Sequence, residues 1–162
     1  MARQTGGRSE HVRRPLFDRL VDQERQFARE ARPRRSYSPR ELRASVRREL
    51  ERLFNSRVRL PLARLEAYPR TVIDYGIPDF GTFSARNAAD REQLARHLVT
   101  AIEAYEPRLQ EVRVHIAPPG VDSELLTGEI DAMLVVESVR EPVRFTTTLT
   151  PSAGSIEDAD ED

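Results

Sequence analysis

Cysteine, lysine and tryptophan are all absent from this chain of 162 residues. The lack of cysteine excludes disulfides and cysteine-ligated metals, and it is compatible with a reducing compartment. A zinc site without cysteine needs three or four converging ligands, but the histidines show no ligand spacing. We therefore expect neither a metal site nor a cofactor. The three histidines are His11, His97 and His115.

Long apolar runs are missing as well. No run approaches the roughly 20 residues that a membrane-spanning helix needs, and the arginine-rich N-terminus lacks the apolar centre of a signal peptide. Neither a glycine-rich phosphate loop nor a GxSxG nucleophile elbow occurs. These absences favour a cytoplasmic protein without membrane insertion, and they give no sign of nucleophilic catalysis.

The formal net charge of −1 hides an asymmetry between the two parts of the chain. Residues 1–59 hold 17 arginines and 8 acidic residues, whereas residues 60–162 hold 9 arginines and 19 acidic residues. Such an asymmetry suggests an arm that meets an acidic surface of nucleic acid or protein. Because the arm interleaves acids and has few aromatic residues, it offers no stacking platform for bases. We favour a protein partner and keep nucleic-acid binding through this N-terminal third as an alternative.

The chain begins with segments that we do not assign to a folded domain. Residues 1–14 are predicted to be a disordered basic tail, and residues 23–37 a charged linker. Between them, the sequence PLFDRLVD at 15–22 predicts a helix of about two turns, which is marginal alone and is expected to dock on another surface. Its apolar residues are Leu16, Phe17, Leu20 and Val21.

Two longer helices are predicted within residues 38–150. The sequence SPRE at 38–41 has the pattern of a capping box, and this helix should end near Asn55. The arginines on its polar face, Arg43, Arg47, Arg48 and Arg52, are expected to be solvated. Asn87 opens the second helix and Pro107 stops it. Residues 60–87 between the helices predict an ordered loop or short turns. The expected anchors are Tyr68, Val72, Ile73, Tyr75, Ile77, Phe80 and Phe83.

The remainder of the chain alternates between apolar and polar residues, which is the spacing of β-strands. EVRVHIA, GEIDAMLVV and VRFTTTL predict three successive strands joined by short connections. The predicted fold class is α+β, with helices packed on a small antiparallel sheet, a three-strand meander. Residues 151–162 predict a disordered acidic tail.

The stretch AIEAYEPRLQ at 101–110 places Glu106 and Arg108 on either side of Pro107. A hydrolase would need two carboxylates in a cleft with separated proton affinities. Arg108 favours the ionised form of Glu106, which makes Glu106 a poor proton donor. A hydrolase remains an alternative, but we assign no catalytic residue.

Four motifs then occur in a characteristic order: PLFDRLVD, SVRRELERLFNSR, YPRTVIDYGIPDFG and AIEAYEPRL. Together they resemble the TssE family of type VI secretion baseplate subunits, which is similar to phage-tail baseplate wedge proteins once labelled lysozyme-like. The resemblance covers about residues 15–150. Asn55-Ser56-Arg57 stands where the family has Asn-Thr-Arg, and residues 71–74 replace Ser-Val-Leu-Asn.

The resemblance implies a structural protein rather than a peptidoglycan-cleaving enzyme. Its expected partners are the wedge subunits TssF, TssG and TssK, and the sheath subunits TssB and TssC, which would add strands to the sheet. Exposed edges of an apolar sheet suit such strand addition. The implied interaction residues are Glu106, Pro107 and Arg108, then Tyr75, Gly76, Pro78 and Asp79, and on the arm Leu16, Phe17 and Leu20.

Overall fold

The computed structural model describes residues 12–13, 36–81, 83–120, 125–137, 139–150 and 154–159. The predicted arm helix, with Leu16, Phe17 and Leu20, therefore lies outside the described residues. Just before it, strand β1 (Val12–Arg13) pairs antiparallel with strand β2 (Ser36–Tyr37). This pairing corrects the prediction of a disordered tail and a linker at those four positions.

Helix α1 (Pro39–Phe54) begins with the predicted capping box. The Ser38 backbone N–H donates to Glu41 Oε2 at 2.9 Å, and the Glu41 N–H donates back to Ser38 Oγ at 3.3 Å. Two backbone donors that no intrahelical partner can satisfy are thereby paired. The helix then buries one apolar face, as predicted: Leu42, Val46, Leu50, Leu53 and Phe54.

The segment after α1 contains small elements that the sequence did not predict. Strand β3 (Arg57–Val58) pairs in parallel with strand β4 (Ile77–Pro78). Between them lie helix α2 (Leu62–Ala67) and a 3-10 turn (Val72–Asp74). The predicted loop is therefore ordered around a short strand pair.

Helix α3 (Ala88–Tyr105) begins at Asn87, whose side chain accepts a hydrogen bond from the Ala89 N–H at 3.0 Å. It buries Leu94, Leu98 and Ile102 against the rest of the core. Its predicted start is confirmed.

The main sheet is antiparallel, with strands in the order β5 (Leu109–Ile116), β6 (Leu126–Val136), β7 (Val139–Leu149) and β8 (Gly154–Asp158). Alternate residues of β6 and β7 are buried, as strand spacing requires. The α+β fold class is confirmed. The buried residues of these two strands include Ile130, Ala132, Leu134, Val143, Phe145 and Leu149.

Strand β8 corrects the prediction of three strands and a wholly disordered acidic tail. Ile156 is buried among the core residues, while Glu157 points to solvent. The side chain of Asn55, at the end of α1, donates to the Gly154 carbonyl at 2.8 Å and accepts from the Gly154 N–H at 3.1 Å. Strand β8 also pairs with β7 over five residues, so the edge strands of the sheet among the described residues are β5 and β8.

Two other predictions about exposure were wrong. Arg43 is half-buried and donates through Nε to Glu141 Oε1 on β7 at 3.0 Å, so the polar face of α1 is partly covered. Of the predicted loop anchors, Ile77 and Phe80 are buried, but Tyr68, Val72 and Ile73 are exposed. Among the described residues, no helix combines the length and apolar character needed to cross a membrane.

We predict that Asn55→Ala selectively loosens β8. The loss of both bonds to Gly154 should lower the free energy of unfolding by about 1–2 kcal/mol, and the amides of Ser155 and Glu157 should exchange faster relative to those of β6. Urea denaturation and hydrogen exchange measure these effects. Asn87→Ala, which removes an exposed cap on α3, is the control. Equal acceleration of β8 exchange in both variants would contradict the role of Asn55.

Candidate functional site

The centre of the site is the buried ion pair between Glu106 and Arg108. Arg108 donates through Nε to Glu106 Oε1 at 2.6 Å and through Nη2 to Oε2 at 2.5 Å. The Glu106 side chain is 4% exposed and that of Arg108 16%. Pro107 between them is exposed. The guanidinium thus binds both carboxylate oxygens in a bidentate arrangement, which is the strong geometry for such a pair.

Arg108 also joins this corner to distant elements. Its Nη1 donates to Ser45 Oγ on α1 at 3.0 Å, and its carbonyl accepts from the Val135 N–H on β6 at 2.8 Å. The Glu106 carbonyl accepts from the Leu109 N–H at 3.0 Å, which closes the turn into β5. The Glu-Pro-Arg motif therefore fixes the angle at which α3 passes into the sheet.

The second predicted motif contains Gly76, whose φ of 122° is one that side chains rarely adopt. A Cβ at this position would lie 2.6 Å from the Ser56 carbonyl oxygen. The close approach lets the Ile77 N–H donate to that same oxygen at 2.9 Å, which leads into the pairing of β3 with β4. Gly76 is thus required for the contact between the Asn-Ser-Arg segment and the Tyr-Gly-x-Pro-Asp segment.

The last two residues of the Tyr-Gly-x-Pro-Asp motif differ in burial. Pro78 is buried, whereas Asp79 is exposed and accepts from the Gly81 N–H at 2.9 Å. Arg57 places its guanidinium 5.1 Å from the centre of the Phe80 ring. Burial lowers the pKa of Arg57, and the nearby Asp79 charge opposes that shift.

Two tyrosines connect the motifs. The rings of Tyr75 and Tyr105 meet edge to face with centroids 5.1 Å apart, and Tyr105 is the residue before Glu106. Burial raises the pKa of both hydroxyls. The Tyr75–Tyr105 contact therefore brings the Tyr-Gly-x-Pro-Asp segment to the Glu-Pro-Arg motif.

The model of the family described as baseplate wedge protein gp25 matches residues 40–139. The chain belongs to this family. The matched range contains both motifs, and membership confirms the family that the motif order predicted. The predicted arm helix and β8 lie outside the matched range.

Among solved structures, a chain of "The baseplate complex from the type VI secretion system" is similar at 21% identity. The match covers 68% of this chain and 96% of that chain, with a TM-score of 0.49. A search of curated proteins gave no match.

The 3-10 turn of this gp25-family domain was not among the predicted functional residues. Thr71 donates to Asp74 Oδ2 through its N–H at 2.9 Å and through Oγ1 at 2.7 Å. The Thr71 hydroxyl is the main cause that lowers the pKa of Asp74, and Arg64 and Arg70 add to it. A Thr-x-x-Asp pattern is a capping box, so this signal was present at residues 71–74.

The arrangement is that of a fixed corner. Both oxygens of Glu106 already accept bonds from Arg108, and the Glu106 side chain is buried. No group of three or more potential metal-ligating side chains occurs in the part of the chain that the structure describes. Of the predicted site residues that the structure describes, Tyr75, Asp79 and Pro107 are exposed.

We expect Arg108→Gln to be strongly destabilising, because it leaves the Glu106 charge buried without its partner. Breaking a buried pair in this way costs about 3–5 kcal/mol. The control is Arg140→Gln, since the Arg140–Glu111 pair at 2.8 Å has side chains 60% and 61% exposed, and such pairs contribute at most about 1 kcal/mol. Similar losses in chemical denaturation would show that the corner does not depend on this pair.

We also expect a pH-dependent effect of Thr71→Val. The pKa of Asp74 in the folded protein lies below its ordinary value of 3.8. The ionised Asp74 side chain therefore stabilises the fold at pH above 3.8, and this stabilisation is lost as pH falls through the folded pKa. Removal of the Thr71 hydroxyl should raise the pKa of Asp74 and destabilise the protein at pH 7 but less in acid. NMR titration of Asp74 and urea denaturation across this range test the prediction. An unchanged Asp74 titration would contradict it.

Proposed function

We propose that this protein is a structural, non-enzymatic subunit of the baseplate wedge of a type VI secretion system. In this role it docks on TssF, TssG and TssK and helps to initiate assembly of the contractile sheath. The observation that carries the proposal is family membership together with the closed Glu106–Arg108 pair. A buried carboxylate held on both oxygens by a guanidinium positions a corner.

The exposed residues of the corner are proposed to contact wedge partners. Pro107, Tyr75 and Asp79 lie at the surface, and the contacts of Glu106, Arg108, Gly76 and Pro78 hold them in place from below. The ion pair would thus serve docking indirectly, by orienting the turn. Docking through the arm residues Leu16, Phe17 and Leu20 stays a prediction.

The edge strand β5 is the proposed attachment point for a strand of the sheath subunits TssB and TssC. The Ala117 N–H donates to the Thr127 carbonyl at 2.9 Å, toward β6. The backbone N–H and C=O groups of successive residues in a strand point alternately to its two sides. The backbone groups of Val114 and Ile116 accordingly point away from β6. Among the described residues β5 has no strand on that side, so an incoming strand can add main-chain hydrogen bonds.

The other edge of the sheet is less open. The same alternation turns the Gly154 backbone outward on β8, and both its N–H and its carbonyl are already bonded by Asn55. Strand β8 is also shorter, with five residues against eight in β5. Length and accessibility therefore both favour β5.

Proline substitution at each edge tests this assignment. Val114→Pro removes an outward N–H, which an edge strand tolerates, so the protein should fold but fail to nucleate sheath in a reconstitution with TssB and TssC followed by electron microscopy. Asp158→Pro removes an outward N–H on β8 and should assemble normally. Sheath growth on Val114→Pro, or its loss on Asp158→Pro alone, would contradict attachment at β5. Failure of the unaltered protein to support assembly would contradict the proposed function itself.

A further inference from the structure

Three large apolar side chains beside the 3-10 turn are exposed to solvent. Val72 is 89% exposed, Ile73 79% and Tyr68 66%. We call these three residues the turn patch. Its residues belong neither to the main sheet nor to the Glu106–Arg108 pair, and their side chains are not part of the core. Clustered apolar exposure of this kind marks interaction surfaces.

The backbone that carries the turn patch is held firmly. Thr71 and Asp74 close the turn through the two bonds described above, and the Tyr105 hydroxyl donates to the Thr71 carbonyl at 2.7 Å. Tyr105 is itself packed against Tyr75. Val72 and Ile73 are therefore displayed on a constrained turn, and a partner would meet them already ordered. Such preorganisation reduces the entropic cost of binding.

Two arginines lie next to the turn patch, and one of them has hydrogen-bond donors without partners in the described part of the chain. Arg70 Nη1 donates a long bond of 3.4 Å to the Asp74 carbonyl. Its Nε and Nη2 are buried atoms with no hydrogen-bond partner among the described residues. Arg64 adds a second guanidinium, 5.8 Å from the centre of the Tyr68 ring. Buried donors without partners are uncommon, and a planar, forked guanidinium suits a carboxylate.

These side chains border an open groove of about 380 Å³. A second depression of about 730 Å³ shares Leu65, Tyr68, Pro69 and Arg70 with it and continues along α3. The two together form an elongated surface with apolar patches. Its lining holds three arginines, Arg64, Arg70 and Arg96, against two acids, Asp74 and Glu103. An amphipathic helix laid in a groove presents the matching arrangement of apolar and charged side chains.

We propose that the turn patch and its groove receive an amphipathic helix of another protein. Apolar side chains of that helix pack against Tyr68, Val72 and Ile73, and a flanking carboxylate completes the hydrogen bonds of Arg70. The charge of the groove favours a partner whose apolar face is bordered by acids over a second copy of the same arginine-bordered surface. The choice of probe below rests on the proposed baseplate role.

The test uses the full chain co-expressed with TssF and TssG, and recovery of both subunits with the tagged protein is measured. Val72→Asp with Ile73→Asp should reduce recovery at least about tenfold, as loss of central apolar contacts does at interfaces. Because both side chains are exposed, the melting temperature should stay unchanged. Leu125→Asp is the matched control: it alters an apolar side chain 47% exposed just before β6, and it should leave recovery intact.

The role of Arg70 is tested through salt. Recovery of the partners should fall with ionic strength for the unaltered chain, and Arg70→Gln should both weaken recovery and flatten that dependence. Arg113→Gln, on the exposed face of β5, is the control and should keep the full salt dependence. A salt response that is identical in both variants would overturn the assignment of a carboxylate to Arg70.

Other occupants give different results. Full recovery with the double aspartate variant would overturn the inference while leaving the baseplate role intact, whereas no recovery with the unaltered chain would count against the baseplate role. Self-association of the unaltered chain in light scattering, lost in the double variant, would assign the groove to a second copy. Binding to anionic phospholipid vesicles that the double variant loses would assign it to a membrane surface. Either result would overturn the proposal of a partner helix.

Discussion

The ion pair between Glu106 and Arg108 sets the relation between the helices and the sheet. Its two members are only two residues apart, but Arg108 reaches Ser45 on α1 through its side chain and Val135 on β6 through its carbonyl. A buried charge that loses its partner is far more costly than an exposed one. The chain therefore has few alternative ways to turn from α3 into β5, and the first strand of the sheet is placed by this turn.

Further polar contacts join segments that are distant in sequence. Gly76 allows β4 to approach Ser56, Asn55 binds the backbone of Gly154, and Tyr105 binds the carbonyl of Thr71. Each of these contacts satisfies a backbone group of another segment. Specific polar contacts thus organise these junctions, while burial of alternate apolar residues holds the sheet against α1 and α3.

The proposed roles fall on different surfaces, and each has a distinct physical basis. An edge strand offers main-chain hydrogen bonds, which depend little on side-chain identity. The turn patch offers apolar side chains beside Arg70, and these would select a partner by its chemistry. With both proposed contacts made, one small domain would join a wedge partner to a sheath strand.

The sequence by itself determined the features that depend on neighbours along the chain. The capping residues Ser38 and Asn87, the stop before Pro107 and the alternation of the three longer strands are local signals. They predicted α1, α3, β5, β6 and β7, and the order of the motifs predicted the family. The pairing of Glu106 with Arg108 also follows from their closeness in sequence.

Only the tertiary structure decided which side chains meet across long separations. The acidic composition around Ile156 predicted disorder. That prediction failed because no local signal shows that Asn55, 99 residues before Gly154, binds the Gly154 backbone. Val72 and Ile73 were predicted to be core anchors from their apolar character, yet the Thr71–Asp74 turn directs them to solvent. The hydrophobicity of a residue indicates the free energy that its burial would contribute. Which apolar residues are buried depends on how distant elements pack.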